Sequence, residues 1–340
     1  MSQSATTDLP RRPLGKGGPR VAAVGYGAMS FADFYGTATE EGSHAILRAC
    51  LDLGIDHLDT SNVYGMGRSE TWLGAFLSAN PGSREQFVIA TKGGIARDAD
   101  GNRKFDNSPE HLEASLDASL QRMGIDCVDL YYVHRREADR PIEDVTEALA
   151  ALVAKGKTKS IGFSEIAPSS LRRAAAVHPI AAVQSEYSLQ TRAPELGLVQ
   201  ECERLGTALV AFSPVGRGLL TDRPPSAEKV AGLDFLKVNP RFMAPNLEAN
   251  LKASEPLRAL GLEMGTSAAA LATAWLIAKS PSVITIPGTR HVEHLRECAD
   301  AMALALTTTD IARIEEALPV GWAHGDRYNA GQWAGPERYC

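Results

Sequence analysis

The stretch His57-Leu-Asp-Thr-Ser-Asn-Val-Tyr-Gly65 decides how the rest of the chain is interpreted. Leu58 belongs to a short apolar run that predicts a buried strand, and Asp59 ends that strand. Tyr64 follows in a loop that Gly65 closes. A carboxylate at a strand end with a phenol beside it can form an acid–base pair. The same residues could also be a helix-capping aspartate and a packed tyrosine. A functional interpretation of the pair therefore requires partner residues elsewhere in the chain.

Outward from this stretch, apolar and amphipathic runs alternate along the chain. Strands are predicted near 25–29 and 55–59 and over 87–91, 128–133, 159–163, 181–185, 207–212 and 283–286. Most are separated by a helix, which predicts a parallel sheet, and their continuous apolar character predicts burial on both faces. Because eight such units occur without a G-x-G-x-x-G fingerprint, a closed (β/α)8 TIM barrel is favoured over an open doubly wound sheet.

Three further segments complete the predicted organisation. Residues 12–24 indicate an N-terminal hairpin, residues 215–245 a long loop after strand seven, and residues 320–340 a C-terminal tail. A single helix is predicted near 246–260, directly after the long loop. We expect residues 1–10 to be disordered and residues 11–340 to form one barrel domain.

Composition excludes several classes of function. The net charge of −6 and the pI near 5.8 argue against a nucleic-acid surface. No apolar run reaches the 18 or so residues of a membrane span, and the N-terminus lacks a hydrophobic signal core, so we expect a cytoplasmic protein without a membrane partner. The five cysteines are scattered without a CxxC pair, which argues against a disulfide framework or a zinc site.

Three reactive side chains fall at the ends of successive strands. Asp59, Lys92 and His134 end predicted strands two, three and four, and barrel active sites lie at the carboxyl ends of strands. A buried Lys92 would need Asp59 as its counter-charge, and it would lower the pKa of Tyr64. His134 would orient a substrate oxygen. The set predicts a proton donor aimed at a carbonyl oxygen and has too few ligands for a metal. An aldolase that forms a Schiff base on Lys92 is the chemical alternative.

Seven motifs follow one another along the chain. They are Asp59-Thr-Ser-Asn-Val-Tyr-Gly65, Thr91-Lys92, Tyr131-Tyr-Val-His134, Ile161-Gly-Phe-Ser164, Val183-Gln-Ser-Glu-Tyr187, Phe212-Ser-Pro-Val-Gly216 with Gly218-Leu-Leu-Thr221, and Ile286-Pro-Gly-Thr289. Together they resemble the aldo-keto reductase family over roughly residues 12–318, and most closely its larger microbial and plant branch. The resemblance implies NADP(H) bound across the barrel mouth without a Rossmann domain. It also implies a catalytic tetrad of Asp59, Tyr64, Lys92 and His134, in which Tyr64 protonates the carbonyl oxygen as hydride arrives from nicotinamide C4.

The resemblance also assigns cofactor contacts. Ser164 and Gln184 would hold the nicotinamide carboxamide, and Phe212 would stack on the ring. The family usually has Asn after that serine, whereas this chain has Glu165, as the plant-like branch allows. Further contacts are implied for Gly27, Met29, Asp59, Ser213, Val215, Gly216, Gly218, Gly288, Thr289, Arg290, His294 and Cys298. His294 and Cys298 stand where the family often has Arg and Asn, which weakens the usual adenosine contacts. Arg290 could still bind a 2′-phosphate, so NADP is favoured over NAD.

Substrate contacts are expected from Tyr64, His134 and an apolar wall of Phe31, Tyr35 and Met66. Arg135 and Arg136 would favour an anionic substrate if one of them faced the mouth, and otherwise would bind nearby carboxylates. Aromatic residues of the tail could fold over the site or cap the barrel.

Three functions remain open from the sequence. The leading one is an NADPH-dependent reductase of small aldehydes and ketones, acting as a monomer or weak homo-oligomer. The second is a sugar-nucleotide keto or enoyl reductase of secondary metabolism. The third is a non-enzymatic, nicotinamide-sensing regulatory subunit, as in the potassium-channel β subunits that this family resembles.

Overall fold

The computed structural model describes residues 9–98 and 100–338, so most of the predicted disordered N-terminus lies outside the described residues. The described strands, in chain order, are β1 (Arg11–Pro13), β2 (Arg20–Ala22), β3 (Tyr26–Gly27), β4 (His57–Asp59), β5 (Val88–Gly93), β6 (Ile95–Arg97), β7 (Arg103–Phe105), β8 (Leu130–Val133), β9 (Ile161–Ser164), β10 (Ala182–Glu186), β11 (Ala208–Phe212) and β12 (Val283–Thr285). The α-helices are α1 (Glu40–Asp52), α2 (Arg68–Ala79), α3 (Pro109–Met123), α4 (Ile142–Ala154), α5 (Pro168–Val177), α6 (Leu198–Leu205), α7 (Ala227–Ala231), α8 (Asn246–Ala253), α9 (Glu255–Glu263), α10 (Ala268–Ala278), α11 (Val292–Ala299) and α12 (Thr308–Ala317).

Eight parallel strands form the barrel, in the order β3, β4, β5, β8, β9, β10, β11 and β12. The residues just before β3 close it against β12. The Gly25 amide donates to the Thr285 carbonyl oxygen at 2.7 Å, and the Thr285 amide donates to the Ala23 carbonyl oxygen at 2.9 Å. The predicted (β/α)8 barrel is confirmed, and the carboxyl ends of all eight strands open at one mouth.

Local sequence signals explain the helices that surround the barrel. In α3, the Ser108 side chain accepts a hydrogen bond from the His111 amide, and Gly124 ends the helix in the left-handed conformation. Leu112 and Leu116 recur at helical spacing and are buried against the sheet. Side-chain caps also begin α1, α10 and α12, where Thr39, Ser267 and Thr307 accept a hydrogen bond from a backbone amide of the first turn.

The N-terminal hairpin seals the end of the barrel opposite the mouth. Leu14 and Val21, from the turn and from β2, join the cluster of inward-facing strand residues that fills the barrel, including Tyr132 and Val210. Because the interior is packed, a ligand is expected at the mouth, where the strands end.

Two segments differ from the sequence-based prediction. The single helix expected near 246–260 is two helices, α8 and α9, which meet at Ser254. The antiparallel hairpin β6–β7 was not predicted, because strands of three residues are too short for alternation to be recognised. The long loop was predicted, and it contains α7. Its residues Leu219, Val230, Leu236 and Phe242 pack with Leu247 of α8 in a separate apolar cluster.

Within the described part of the chain, no single helix has the length and apolar character needed to cross a membrane. The segments Asn246–Glu263 and Ala268–Ala278 meet those criteria only as a pair bent by 91°.

We expect Gly162→Ala to lower the free energy of unfolding by about 1–3 kcal/mol. An added Cβ would lie 2.5 Å from the Ala182 carbonyl oxygen and 2.7 Å from the Tyr132 ring, inside the packed barrel. Urea denaturation measures the change. Gly232→Ala is the matched control, since its Cβ would meet its nearest neighbour at 3.6 Å, and equal effects in the two variants would contradict the prediction.

Candidate active site

Lys92 lies at the centre of the polar groups at the barrel mouth. Its ammonium forms an ion pair with Asp59 and donates to the Thr60 carbonyl oxygen at 2.9 Å and to the Tyr64 hydroxyl oxygen at 3.3 Å. The other oxygen of Asp59 accepts a hydrogen bond from the Gln184 amide at 2.8 Å. The expected convergence of the strand-end residues is therefore present in the structure.

The charge of Lys92 survives complete burial. Desolvation alone would lower the pKa of its ammonium, but the attraction of Asp59 and Tyr64 outweighs this, and the pKa is raised above its ordinary value. Lys92 is fully buried, so it is a fixed positive charge behind Tyr64.

The expectation of a lowered pKa for Tyr64 is wrong. Burial of the phenol raises its pKa, and the opposing effects of the Lys92 charge and hydrogen bond are too small to reverse that shift. The sequence argument weighed the lysine and omitted the desolvation of the tyrosine itself. Tyr64 is consequently a protonated phenol throughout the neutral range.

His134 is held neutral beside Tyr64. Burial, followed by the charges of Arg135, Lys92 and Arg103, lowers the pKa of its imidazole well below the ordinary value. Its Nδ1 lies 3.1 Å from the Ser61 hydroxyl oxygen. The Tyr64 and His134 rings meet edge to face with centroids 5.8 Å apart, so both face the same space.

That space is a cavity of about 1070 Å³ across the barrel mouth. Most residues expected to bind cofactor or substrate line it, namely Gly27, Met29, Tyr35, Asp59, Tyr64, Met66, His134, Ser164, Gln184, Phe212, Ser213, Val215, Gly218, Gly288, Thr289, Arg290, His294 and Cys298. Lys92 lies behind the wall, and Gly216 packs beneath it against Gln190 and Leu220.

The expected role of Phe31 as part of the substrate wall is wrong. Its ring is buried in the core against Tyr26, because the short helical turn that follows β3 directs it inward. Phe34, three residues later, lines the cavity at the place expected for Phe31. Its ring centroid lies 6.4 Å from that of Tyr64 and 5.6 Å from that of Phe235.

Two other lining residues come from segments distant in sequence. Phe235 belongs to the long loop, and Tyr328 belongs to the C-terminal tail. Of the two positions considered for the tail, it takes the one over the mouth. Tyr328 was noted only as a tail aromatic, and no local signal marked Phe235. Both were difficult to assign because their positions depend on how the loop and the tail fold back.

Arg290, which is expected to bind the 2′-phosphate of the cofactor, also has a structural role. Its guanidinium donates to the carbonyl oxygens of Tyr35 at 2.8 Å and Thr37 at 2.6 Å, which fastens the segment before α1. His291 and His294 lie beside it with ring centroids 5.0 Å apart. Burial raises the pKa of the Cys298 thiol to about 12, so this side chain is neutral.

The same end of the cavity fits a dinucleotide phosphate. Arg223, Lys229 and Arg290 supply positive charge there. A Cβ at Gly288 would lie 2.6 Å from the Gly27 carbonyl oxygen, so only glycine allows the chain to pass this close at the cavity wall. Cationic side chains around a glycine-lined groove suit phosphate groups.

Comparison with known proteins agrees with this geometry. The sequence model of the aldo/keto reductase family matches residues 23–319. The chain belongs to this family. It is 36% identical over 327 residues to the NADP(+) aldo-keto reductase yakc of Schizosaccharomyces pombe, covering 95% of each chain. It is 37% identical over 319 residues to the probable aldo-keto reductase 1 of Glycine max, covering 94% of this chain and 91% of the relative.

Solved aldo-keto reductases have the same fold. A glycerol dehydrogenase from Gluconobacter oxydans superposes with a TM-score of 0.78 at 25% identity, over 92% of this chain and 96% of its own. The holo form of an aldo-keto reductase from Bacillus halodurans superposes with a TM-score of 0.76 at 25% identity, over 95% of this chain and 99% of its own. Family and fold therefore agree, and the protein is an oxidoreductase that acts on carbonyl or alcohol groups.

The two arginines after His134 have different surroundings. Arg136 is buried and lies 3.3 Å from the Glu337 carboxylate, so it does bind a carboxylate, but one from the tail and not the neighbouring Glu137 or Asp139. Arg135 lines the cavity, and its guanidinium donates to the His134 carbonyl oxygen and to the Ser164 hydroxyl oxygen.

We expect the Lys92–Asp59 pair to show strong coupling in a double-mutant cycle. Asp59→Ala should lower the free energy of unfolding by about 3–5 kcal/mol, because it leaves a buried ammonium unpaired. The Asp59→Ala/Lys92→Met variant should lose less than the sum of the two single variants. Urea denaturation gives each value.

The control is the exposed pair of Arg173 and Glu143, where Glu143→Ala should lower the free energy of unfolding far less than Asp59→Ala does. Additive losses for Asp59 and Lys92 would show that the two groups do not stabilise each other.

Proposed function

We propose that this protein is an NADPH-dependent reductase of aldehydes and ketones in which Tyr64 delivers the proton. The observation that carries the proposal is the position of the Tyr64 hydroxyl, 3.3 Å from the buried ammonium of Lys92 and facing the cavity beside a neutral His134. A proton donor backed by a fixed positive charge is suited to a carbonyl oxygen that gains negative charge.

Bound NADPH supplies a hydride for the carbonyl carbon. Ser164, Gln184 and Phe212 line the part of the cavity nearest Asp59 and would hold the nicotinamide there. The Gln184 amide already has a fixed orientation through Asp59. The cationic end formed by Arg223, Lys229 and Arg290 would receive the adenosine phosphates.

Tyr64 transfers its proton to the carbonyl oxygen and becomes a phenolate. The Lys92 ammonium stabilises that anion directly, and Asp59 keeps the ammonium in position. Burial increases the strength of this interaction, because the phenolate has little water to compensate its charge.

His134 orients the carbonyl oxygen. We assign the Ser61 hydroxyl as the donor to Nδ1, which places the single proton of the neutral ring on Nε2, where it can be donated to the substrate oxygen. The apolar wall of Phe34, Tyr35 and Phe235 opposite suits the remainder of the substrate.

The aldolase alternative conflicts with the surroundings of Lys92. Its ammonium has three hydrogen-bond partners, the Asp59 carboxylate, the Thr60 carbonyl and the Tyr64 hydroxyl, and it is fully buried. A Schiff base needs a neutral amine that a carbonyl carbon can reach, whereas the pKa of Lys92 is raised.

Tyr64→Phe should lower kcat for aldehyde reduction by about 10²- to 10⁴-fold, since it removes the general acid and leaves the ring in place. NADPH oxidation with a panel of aromatic and aliphatic aldehydes measures the rate, and fluorescence titration measures the NADPH Kd, which should change little. Undiminished turnover in the variant would sink the proposal.

The pH dependence follows from the raised pKa of Tyr64. The phenol is protonated below its pKa, so kcat for reduction should be constant through the neutral range and fall only above the ordinary tyrosine pKa of about 10. Alcohol oxidation needs the phenolate and should rise over the same alkaline range. A reduction rate that halves between roughly pH 6 and 8 would contradict this assignment.

A further inference from the structure

Positive charge gathers at two separate ends of the cavity, although the chain as a whole carries a net charge of −6. One end, with Arg223, Lys229 and Arg290, follows strands β11 and β12 and suits the phosphates of the cofactor. The other end has Arg103 and Arg135, which follow β5 and β8 on the far side of the barrel. The cofactor phosphates leave this second group of charges unexplained.

Arg135 has only neutral partners among the described residues. Its guanidinium donates to the His134 carbonyl oxygen at 2.7 Å and to the Ser164 hydroxyl oxygen at 3.0 Å, and no carboxylate of the described chain lies within 4 Å of it. The adjacent Arg136, in contrast, lies 3.3 Å from Glu337. A half-buried guanidinium that faces a cavity without a counter-charge favours an anionic ligand.

Arg103 adds a second positive charge at the same place. It projects from β7 into the cavity lining, and its guanidinium donates to the Gly331 carbonyl oxygen of the tail at 2.6 Å. Burial, and then repulsion by the positive charge of Arg135, lowers the pKa of the Arg103 guanidinium, which lies 5.5 Å from the Phe105 ring centroid. An anion between them would relieve that repulsion.

The surrounding chain holds the two arginines at this rim. The Asn107 amide donates to the Arg135 carbonyl oxygen at 3.1 Å. Gly335 of the tail packs so closely on Phe105 and on the Arg135 side chain that a Cβ there would lie 2.8 Å and 3.0 Å from them. The hairpin β6–β7 and the tail therefore form a fixed wall around Arg135.

We propose that the physiological substrate is a carbonyl compound that carries a carboxylate or phosphate group, which Arg135 and Arg103 bind while the carbonyl meets Tyr64. This inference rests on the proposed reductase function and specifies its substrate class. Arg135 directly follows His134 in the chain and lines the same cavity as Tyr64, so a single small substrate can reach both the arginine and the proton donor. Carboxylate and phosphate share the geometry that guanidinium recognises.

The test compares matched acidic and neutral substrates. The wild-type protein should show a higher kcat/KM for 4-carboxybenzaldehyde than for its methyl ester, and for glyceraldehyde 3-phosphate than for glyceraldehyde. The larger of the two ratios identifies carboxylate or phosphate as the preferred group. Arg135→Gln should reduce that ratio by about 10- to 100-fold, and Arg103→Gln should reduce it less because its side chain is more exposed.

Arg48→Gln is the matched control, since Arg48 is exposed on α1 and does not line the cavity. It should leave the ratio unchanged. Arg135→Lys should restore part of the preference, which a merely structural role for Arg135 would not produce. Equal turnover of acid and ester, with Tyr64-dependent reduction intact, would overturn the anion inference and leave the reductase proposal standing.

A binding measurement separates the two proposals when turnover fails. Calorimetry with NADP-saturated protein should detect benzoate binding that Arg135→Gln weakens about 10-fold or more and that methyl benzoate does not reproduce. Binding with this pattern but without turnover would support the anion site and refute the reductase. Benzoate binding that is absent, or unchanged by Arg135→Gln, would overturn the anion site.

Discussion

The ion pair between Lys92 and Asp59 is the interaction on which the site depends. Two charges removed from water are costly unless each finds a close partner, and here they find one another inside the barrel mouth. A hydrophobic pair of similar volume would fill the same space at lower cost. The pair therefore makes sense as a device for holding a positive charge against Tyr64, and its stability is a condition for that chemistry.

A second group of buried charges fixes the segments that cover the mouth. Glu186 lies at the end of β10 and accepts from Arg217 of the long loop at 2.8 Å, with Arg241 at 3.3 Å. Burial alone would raise the pKa of Glu186, but Arg217 and its neighbouring arginines outweigh it and lower that pKa. Arg327 of the tail pairs with Glu165, so loop and tail are tied to strand ends by charges that water cannot screen.

Residues at strand ends were predictable, whereas residues on folded-back segments were not. Asp59, Lys92 and His134 follow from the rule that parallel strands present their carboxyl ends at one mouth. Phe34 lines the cavity in place of Phe31 because one turn of helix follows β3. A turn this short has no periodicity that would reveal it in the sequence. Arg103 lies in a hairpin that was not predicted, although Asp100-Gly101 within it is a common turn signal. The sign of the Tyr64 pKa shift required burial, which a sequence does not quantify.

Glu165 shows how a departure from the family pattern can be compensated by other residues. It follows Ser164 where the family usually has Asn, and its backbone is left-handed, with φ 58°, a conformation that Asn adopts more readily than Glu. The Glu165 carboxylate accepts from the Glu186 amide at 2.8 Å and from Arg327, two contacts that a shorter Asn could not make together. Those contacts offset the strain at φ 58° and recruit the tail, which carries Tyr328 to the cavity. The residue that departs from the family pattern beside Ser164 thus tethers the tail segment that brings Tyr328 to the cavity.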